Sequence, residues 1–204
     1  MNILVIGSGA REHAIVRTIE RSEKDKKIFC LATNVNPGIE KLCSDLTVAN
    51  INDTQTITSY ADERAVDLAI IGPENPLAIG AADALWDMGV KAVGPRKDLA
   101  QIETSKAFTR DLLTEYNIPA CPKYKTFSSL SGVAEFLGEL GENYVVKYDG
   151  LAGGKGVKVS GDHLHSHDDA KIYCQELVEK GGVFVLEEKL IGQEFSLMSF
   201  CDGE

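Results

Sequence analysis

Two lysines and four glycines lie within residues 144–159, in a pattern suited to binding an anion. The apolar run 144–146 predicts a strand that ends at Lys147, and alternation from Val157 predicts the returning strand. Glycines in the loop of such a hairpin let backbone N–H groups converge and let a ligand approach closely. With the charges of Lys147 and Lys155, the loop is predicted to hold the phosphates of a nucleotide. The loop glycines are Gly150, Gly153, Gly154 and Gly156.

Glycine-rich loops alone are weak signals, and a flexible hairpin with a solvated lysine is the alternative. A Walker A loop carries Ser or Thr directly after its lysine, whereas Gly156 follows Lys155 here. A nucleotide site in this hairpin would therefore belong to another class.

The composition limits the partners of the 204-residue chain. Acidic residues outnumber basic ones by 31 to 21 and the formal net charge is −10, without the basic face of a nucleic-acid-binding protein. Phosphate binding is therefore expected to be local and to involve small molecules. The five cysteines are scattered without a Cys-x-x-Cys pair, which indicates reduced thiols and no zinc site. No leader peptide and no membrane-spanning run is predicted, so we expect a cytoplasmic location.

The first hundred residues have the pattern of a Rossmann-like unit. The apolar run 3–6 predicts a buried parallel strand, and Gly-Ser-Gly-Ala-Arg-Glu-His at 7–13 leads into a helix whose N-terminus could bind an anion. A later helix is predicted to carry both Ala78 and Trp86 and to end at Gly89. Further apolar runs alternate with helices, which predicts a doubly wound parallel sheet. These runs lie at residues 28–32, 68–71 and 91–93.

Dinucleotide binding is the usual function of such a start, but two details disfavour it. Glu12 replaces the third glycine of Gly-x-Gly-x-x-Gly and would repel a pyrophosphate. Residues 31–34, at the end of the second strand, offer no acid to a ribose hydroxyl. A single phosphate beside Arg11 is easier to accommodate, although a solvated first turn fits equally well. An NAD-linked oxidoreductase is therefore the less favoured reading.

A second loop is expected at the same edge of this sheet. Gly-Pro-Glu-Asn-Pro-Leu at 72–77 follows the 68–71 strand, so it lies at the carboxyl edge, where ligands bind in this architecture. An ordinary strand-to-helix connection is the alternative. Because residues 7–13 should open onto that edge too, we favour a shared small-molecule site.

A smaller α/β module is predicted between residues 123 and 189. Residues 104–106 can cap the helix before it and place Lys106 in the first turn, which is unfavourable against the helix dipole and hence notable. After the last strand, Glu187 and Glu188 begin a connector that could face an adenine edge, and Glu194 could accept from ribose hydroxyls. A solvated acidic strand is the alternative. The module comprises strand 123–127, helix 133–140, the glycine hairpin, helix 170–178 and strand 183–186.

Three alternating histidines precede the last predicted helix. His163, His165 and His167 could bind a metal, but no further ligand is near, and a polar loop with Ser166 as a helix N-cap is favoured. Cys174 lies on the apolar stripe of that helix and is read as a core residue.

The separated elements together resemble a known fold. Lys106, Lys147, the glycine loop and Glu187-x-x-Leu190-x-x-x-Glu194 occur in the order and spacing of the ATP-grasp fold, in which two α/β lobes hold ATP between them. Residues 7–14, 72–77, 105–109 and 149–157 closely resemble the phosphoribosylamine–glycine ligase family, and the resemblance covers the whole chain. Small departures from the family pattern are Ala10, Thr104, Tyr148 and Gly153.

The resemblance implies an α/β fold with several parts. These are a Rossmann-like, doubly wound N-terminal domain over 1–103, the start of the central ATP-grasp domain over 104–122, a small α+β lobe with the phosphate loop over 123–189, and a return into the central domain over 190–204. A strand is predicted at 194–200, and Asp202-Gly203 signals a hairpin turn without a return strand. We therefore expect a truncated ATP-grasp domain, inactive alone, with a separately encoded C-terminal half of the ligase as a conceivable partner.

The resemblance also implies a reaction in purine biosynthesis. ATP phosphorylates the carboxylate of glycine, and the amine of 5-phosphoribosylamine displaces the phosphate, giving glycinamide ribonucleotide, ADP and phosphate. Mg²⁺ or Mn²⁺ is implied, with ligands expected beyond residue 204. Another ATP-grasp carboxylate–amine ligase, or a nucleotide-binding module without catalysis, is the alternative.

The site residues follow from the matching motifs. Lys155 is implied to be catalytic as well as nucleotide-binding. The implied ATP-binding residues are Lys106, Lys147, Gly153, Gly154, Lys155, Gly156, Glu187, Glu188, Leu190 and Glu194. The implied substrate-binding residues are Gly9, Arg11, Glu12, His13, Pro73, Glu74 and Asn75.

Overall fold

The structure is a computed structural model that describes residues 1–119, 121–153, 155–195, 197 and 199. The chain divides into two compact units between Thr109 and Arg110. The first unit has strands β1 Asn2–Ile6, β2 Lys27–Ala32, β3 Asp45–Val48, β4 Leu68–Ile71 and β5 Lys91–Val93. Its helices are α1 Ala10–Glu20, α2 Pro37–Glu40, α3 Thr54–Glu63, α4 Glu74–Ala78, α5 Ala81–Asp87 and α6 Lys97–Thr104, and α7 Lys106–Glu115 crosses the boundary.

The five strands of the first unit form one parallel sheet in the order β3-β2-β1-β4-β5. Residues of β1 alternate between two apolar layers, because Leu4 and Ile6 pack on one face of the sheet and Val5 on the other. The predicted doubly wound parallel sheet is confirmed. Since β1 and β4 are neighbours in parallel register, the loops that follow them leave from the same edge.

Two details of the first unit differ from the sequence prediction. The helix expected to carry both Ala78 and Trp86 is divided into α4 and α5 at Gly80, which adopts the left-handed conformation with φ 90°. Trp86, expected on the apolar face of that helix, is 41% exposed. The short elements α2, β3 and α6 were not predicted from the sequence; β3 is only half-buried and α2 has a single turn.

The second unit contains a four-stranded antiparallel sheet in the order β6-β9-β7-β8. Its strands are β6 Tyr124–Phe127, β7 Tyr144–Tyr148, β8 Val157–Val159 and β9 Phe184–Glu188, and its further helices are α8 Val133–Leu140 and α9 His167–Glu179. The predicted glycine hairpin is confirmed by the antiparallel pairing of β7 with β8, in which Lys147 lies opposite Val157.

One face of this sheet packs on α8 and α9. Val146 and Leu186 belong to the core between sheet and helices, whereas Lys147 and Glu187, one position further along their strands, point to the opposite face. The prediction for Cys174 is confirmed, because the residue is fully buried and burial raises the pKa of its thiol to about 12.

The predicted helix cap at Ser166 and the predicted strand over 194–200 had different outcomes. Ser166 caps α9 as predicted, since its hydroxyl accepts from the N–H of Asp169 at 3.1 Å. The strand predicted over 194–200 was wrong at its described positions, where residues 194, 195, 197 and 199 have no regular structure. The predicted Asp202-Gly203 turn lies outside the described residues.

Candidate functional site

In the first unit, the turn after β1 is organised around the side chain of Glu12. This residue is only 4% exposed. Its Oε2 accepts from the N–H of Gly9 at 2.6 Å, and its Oε1 accepts from Nε of Arg11 at 3.1 Å. The carboxylate thus binds a backbone N–H group of the turn in which a dinucleotide-binding protein would hold a phosphate.

The glycines around Glu12 are required by its bulk. A Cβ on Gly72 would lie 2.2 Å from Oε1 of Glu12, and one on Gly9 would lie 2.8 Å from Oε2. A Cβ on Gly7 would lie 2.8 Å from Cγ of Glu12 and 2.9 Å from Cδ of Pro73. The loops after β1 and β4 therefore touch through Glu12 and Pro73, which is the shared edge that the sequence predicted.

Arg11 links the same two loops electrostatically. Besides its contact with Glu12, its Nη2 lies 3.7 Å from Oε1 of Glu74. Its side chain is 52% exposed, so the guanidinium can still face solvent. Asn75 is exposed in the first turn of α4. Gly9, Arg11, Glu12, Pro73 and Glu74 are thus brought together, while their binding roles stay predictions.

His13 faces a segment that the sequence analysis did not single out. A Cβ on Gly38 would lie 2.4 Å from Cε1 of His13, so the imidazole rests directly on the backbone of α2. Asn36 caps that helix by accepting from the N–H of Gly38 at 2.9 Å, and it donates to the carbonyl of Ser8 at 2.9 Å. The Asn-Pro-Gly sequence at 36–38, a cap followed by proline and glycine, is the signal that could have indicated this segment.

In the second unit, Lys147 and Glu187 form an ion pair on the face of the sheet away from α8 and α9. The ammonium of Lys147 lies 2.5 Å from Oε1 of Glu187, whose side chain is 4% exposed. Arg110 contacts the same carboxylate, with 2.8 Å between Nε and Oε2 and 3.3 Å between Nη2 and Oε1. The sequence analysis missed Arg110, since an arginine within a helix carries no distinguishing pattern.

The electrostatics of this cluster are set by competing effects. Burial alone would raise the pKa of Glu187, but hydrogen bonds from Arg110 and Lys147 outweigh it and hold the pKa below its usual value. Glu187 therefore remains ionised beside two cations, and the cluster carries a net positive charge. A positive charge at the base of a glycine loop suits an anionic ligand.

The glycine loop joins the end of β7, which carries Lys147, to the start of β8. The N–H of Tyr148 donates to the carbonyl of Gly156 at 2.7 Å, and the N–H of Lys155 donates to the carbonyl of Ala152 at 3.0 Å. Gly153 has a φ of 54° with no atom within 4 Å of a built Cβ, and Lys155 is exposed. At its described residues Gly153 and Lys155 the loop is thus accessible to a ligand.

Tyr148 packs beneath the loop. A Cβ on Gly150 would lie 2.9 Å from Cε1 of its ring, and one on Gly182 would lie 3.0 Å from Cε2. The ring joins the core on the α8–α9 side. Lys147, the preceding residue of β7, lies on the opposite face.

The remaining predicted nucleotide residues belong to both units. Oε1 of Glu188 accepts from the N–H of Lys123 at 3.0 Å, so this side chain joins β9 to the start of β6. Leu190 and Glu194 are exposed after β9. Lys106 begins α7 in the first unit, and Ser105 caps that helix by accepting from the N–H of Phe108 at 3.1 Å. Gly154 lies outside the described residues.

Two further features concern the residues that the structure describes. These residues hold no group of three or more His, Cys, Asp or Glu residues that could bind a metal ion. Within the same residues, no helix has the length and apolar character needed to cross a membrane.

The fold and the hairpin define a class of protein. The fold is similar to that of solved ligases. Phosphoribosylamine–glycine ligase from Thermotoga maritima matches with a TM-score of 0.73 at 21% identity, over 95% of this chain and 45% of that one. Carboxyaminoimidazole ribonucleotide synthase from Aspergillus clavatus, solved with ATP, matches with a TM-score of 0.68 at 17% identity, over 93% of this chain and 47% of that one. The chain has the fold of ATP-grasp ligases.

Sequence comparison gives the family. Residues 1–103 match the model "Phosphoribosylglycinamide synthetase, N domain", and residues 104–204 match "Phosphoribosylglycinamide synthetase, ATP-grasp (A) domain". The chain belongs to this family, which confirms the resemblance seen in its motifs.

Two curated relatives show how much of the family's length is represented. The phosphoribosylamine–glycine ligases of Methanosarcina barkeri and Methanococcus vannielii are 45% and 46% identical over all of this chain. In both cases the match covers 47% of the relative. The chain thus spans about half the length of these relatives.

Proposed function

We propose that the chain provides the nucleotide-binding hairpin and the ribonucleotide site of an ADP-forming ligase that joins glycine to 5-phosphoribosylamine. The observation that supports this most strongly is the cluster of Lys147, Glu187 and Arg110 beside an open glycine loop, in a chain matched throughout by one ligase family. Lys147 and Lys155 would neutralise the phosphates of ATP while loop N–H groups bind their oxygens.

The proposed reaction has two steps. A glycine carboxylate oxygen attacks the γ-phosphorus of ATP, so that an acyl phosphate forms and ADP leaves. The amine nitrogen of 5-phosphoribosylamine then attacks the acyl carbon, inorganic phosphate leaves and the nitrogen loses a proton. The residues of this chain would bind, orient and neutralise charge in these steps. Lys106, Glu188, Leu190 and Glu194 are proposed to complete the adenine and ribose side of the nucleotide site.

The N-terminal site is proposed to bind the phosphoribosyl substrate. The carboxylate of Glu12 occupies the N–H group of Gly9 and adds negative charge to the turn. That arrangement disfavours the pyrophosphate of a dinucleotide and leaves the exposed Arg11 for a single phosphate. Gly9, His13, Pro73, Glu74 and Asn75 are proposed to line the same site.

Binding of the nucleotide can be tested by calorimetry with ADP and with a non-hydrolysable ATP analogue. Lys155→Ala should weaken binding on the order of ten- to a hundredfold, because a charged hydrogen bond is lost. Lys158→Ala is the matched control, since that lysine lies in the same hairpin but stacks on the ring of Tyr173 at 4.2 Å. Equal affinity of the Lys155→Ala variant and the unmodified chain would reject the role of Lys155.

The N-terminal site can be tested separately. Titrations with glycinamide ribonucleotide and with NADH compare the two candidate ligands directly. We expect binding of the ribonucleotide that weakens in Arg11→Ala. Tight binding of NADH without binding of the ribonucleotide would overturn the assignment in favour of a dinucleotide site. Binding of ATP without the ribonucleotide would favour another ATP-grasp ligase or a non-catalytic module.

A further inference from the structure

Arg110 is the residue of the charged cluster to which neither the motifs nor the family comparison assigns a role. It lies on α7, whereas Lys147 lies on β7 and Glu187 on β9. The side chains of Arg110 and Lys147 are 18% and 24% exposed, and that of Glu187 is 4% exposed. Three elements of the second unit therefore meet at one carboxylate.

The contacts are not equivalent. Nε of Arg110 lies 2.8 Å from Oε2 of Glu187 and Nη2 lies 3.3 Å from Oε1, so the guanidinium engages both carboxylate oxygens. A two-point contact of this kind fixes the plane of a carboxylate as well as its position. The ammonium of Lys147 lies 2.5 Å from Oε1. The position of the Lys147 ammonium therefore depends on a carboxylate that Arg110 orients.

Charge balance gives Arg110 a second effect. Without it, Lys147 and Glu187 would form a neutral buried pair, and the carboxylate would be free to turn both oxygens toward the lysine. With it, the cluster has two cations for one anion. The field of the cluster therefore stays positive on the sheet face beside the glycine loop.

We propose that Arg110 is a positioning residue for nucleotide binding, which orients Glu187 so that the ammonium of Lys147 is held for a nucleotide phosphate. The proposal rests on the proposed function of the hairpin. It concerns how Lys147 is placed and makes no claim that Arg110 touches the nucleotide.

The test is a double-substitution cycle on the affinity for ADP, measured by calorimetry on the full 204-residue chain. Arg110→Met should weaken ADP binding on the order of tenfold, because the ammonium of Lys147 is displaced. The same change in a Lys147→Met background should have no further effect, since the residue through which Arg110 acts is gone. An equal loss in both backgrounds would show a merely structural role and overturn the proposal, as would unchanged affinity in Arg110→Met alone.

Arg110→Lys provides a second test that does not depend on the folding of the methionine variant. It keeps the positive charge but cannot contact both oxygens of Glu187 in one plane, so its affinity should lie between those of Arg110→Met and the unmodified chain. Affinity as low as that of Arg110→Met would show that orientation matters and charge does not. Full affinity would show that Arg110 acts by charge alone, which would overturn the positioning role.

A second readout separates this inference from the proposed function. If the unmodified chain bound no ADP, the proposed function would fail, yet the geometry could still be tested by the rate at which an acylating reagent labels Lys147, measured by peptide mass spectrometry. Arg110→Met should slow this labelling severalfold, because Lys147 then pairs with Glu187 exclusively. Labelling of Lys158 provides the internal control. An unchanged ratio of the two rates would overturn the inference.

Discussion

The loop at residues 7–13 and the loop at residues 149–156 both place glycines directly after a strand, but the space around those glycines differs. In the first loop, the side chain of Glu12 fills the volume above Gly7 and Gly9. In the second loop, Gly153 has no atom within 4 Å of a built Cβ. One loop is closed over a carboxylate of its own chain, and the other is open at its tip.

The difference shows that glycine spacing alone does not reveal what a loop binds. Glycine is needed in the first loop because a side chain of the same chain approaches the backbone closely. In the second loop Gly153, with a φ of 54° and no atom within 4 Å of its built Cβ, is needed for conformation alone. The charges agree with this division, because a buried carboxylate lies in the first loop and a cluster of net positive charge lies beside the second.

The largest effect is expected from Gly7→Ala. The new Cβ would meet Cγ of Glu12 at 2.8 Å, and the φ of 116° is unfavourable for alanine. Overpacking and backbone strain together should lower the free energy of unfolding by about 3 kcal/mol. Trp86 is the sole tryptophan and lies in the first unit, so its fluorescence during urea denaturation reports on that unit.

Gly89→Ala is the matched control for this change. Gly89 also has a positive φ, 84°, but nothing lies within 4 Å of its built Cβ. It should therefore lose only the strain contribution, about 1–2 kcal/mol. Equal losses in the two variants would show that Glu12 yields readily, and the contrast between a closed and an open loop would no longer hold.

The second-largest effect should come from Glu12→Gln, which keeps the shape of the side chain and removes its charge. The hydrogen bond from the N–H of Gly9, at 2.6 Å, and the contact with Arg11 would lose their charged partner. We expect a loss of about 1.5–3 kcal/mol in the free energy of unfolding, again followed through Trp86. Glu74→Gln is the control, since its side chain is 42% exposed and its contact with Arg11 is 3.7 Å. A larger loss in Glu74→Gln would contradict the central place of Glu12.

The sequence predicted the regular elements that carry a strong pattern. The buried parallel strands, the glycine hairpin and the Ser166 cap each rest on local apolar periodicity or capping chemistry, which are readable from neighbours in the chain. The edge strand β3 was not predicted, because its side chains are held by partners distant in the sequence. Asp45 accepts from Tyr60 at 2.9 Å and from Nη2 of Arg64 at 3.0 Å.

The candidate sites were predictable only in part for the same reason. Lys147 and Lys155 could be chosen because they flank a glycine loop, and Glu187 because of a spaced motif. Their actual partners could not be read from spacing, since Arg110 lies 77 positions from Glu187 in the sequence. The position of the Glu12 side chain, over the backbone of its own turn, likewise depends on its contact with Gly72, which belongs to another loop.

Acid should weaken the second unit through Glu187. Its pKa is held below the usual value in the folded state, so its contribution to stability is fully present above the unfolded pKa and is lost as the pH falls through the folded value. Hydrogen exchange of peptides from β7 and β9 should therefore accelerate as the pH is lowered below about 4.5, after correction for the intrinsic rates. In Glu187→Gln this acid dependence should flatten. An unchanged acid dependence in that variant would assign the effect to other carboxylates.

The smallest effect is expected at the tip of the open loop, in Gly153→Ala. Its φ of 54° lies in the left-handed region and its built Cβ meets nothing, so only backbone strain opposes the change. A loss of about 1 kcal/mol is expected in the free energy of unfolding, followed by circular dichroism. Gly153→Asn should lose less, because asparagine tolerates this conformation better than alanine. Neither variant crowds the loop, so both should retain ADP binding within a fewfold. A loss as large as that of Gly7→Ala would mean that the tip packs against other residues, and the second loop would have to be regarded as closed.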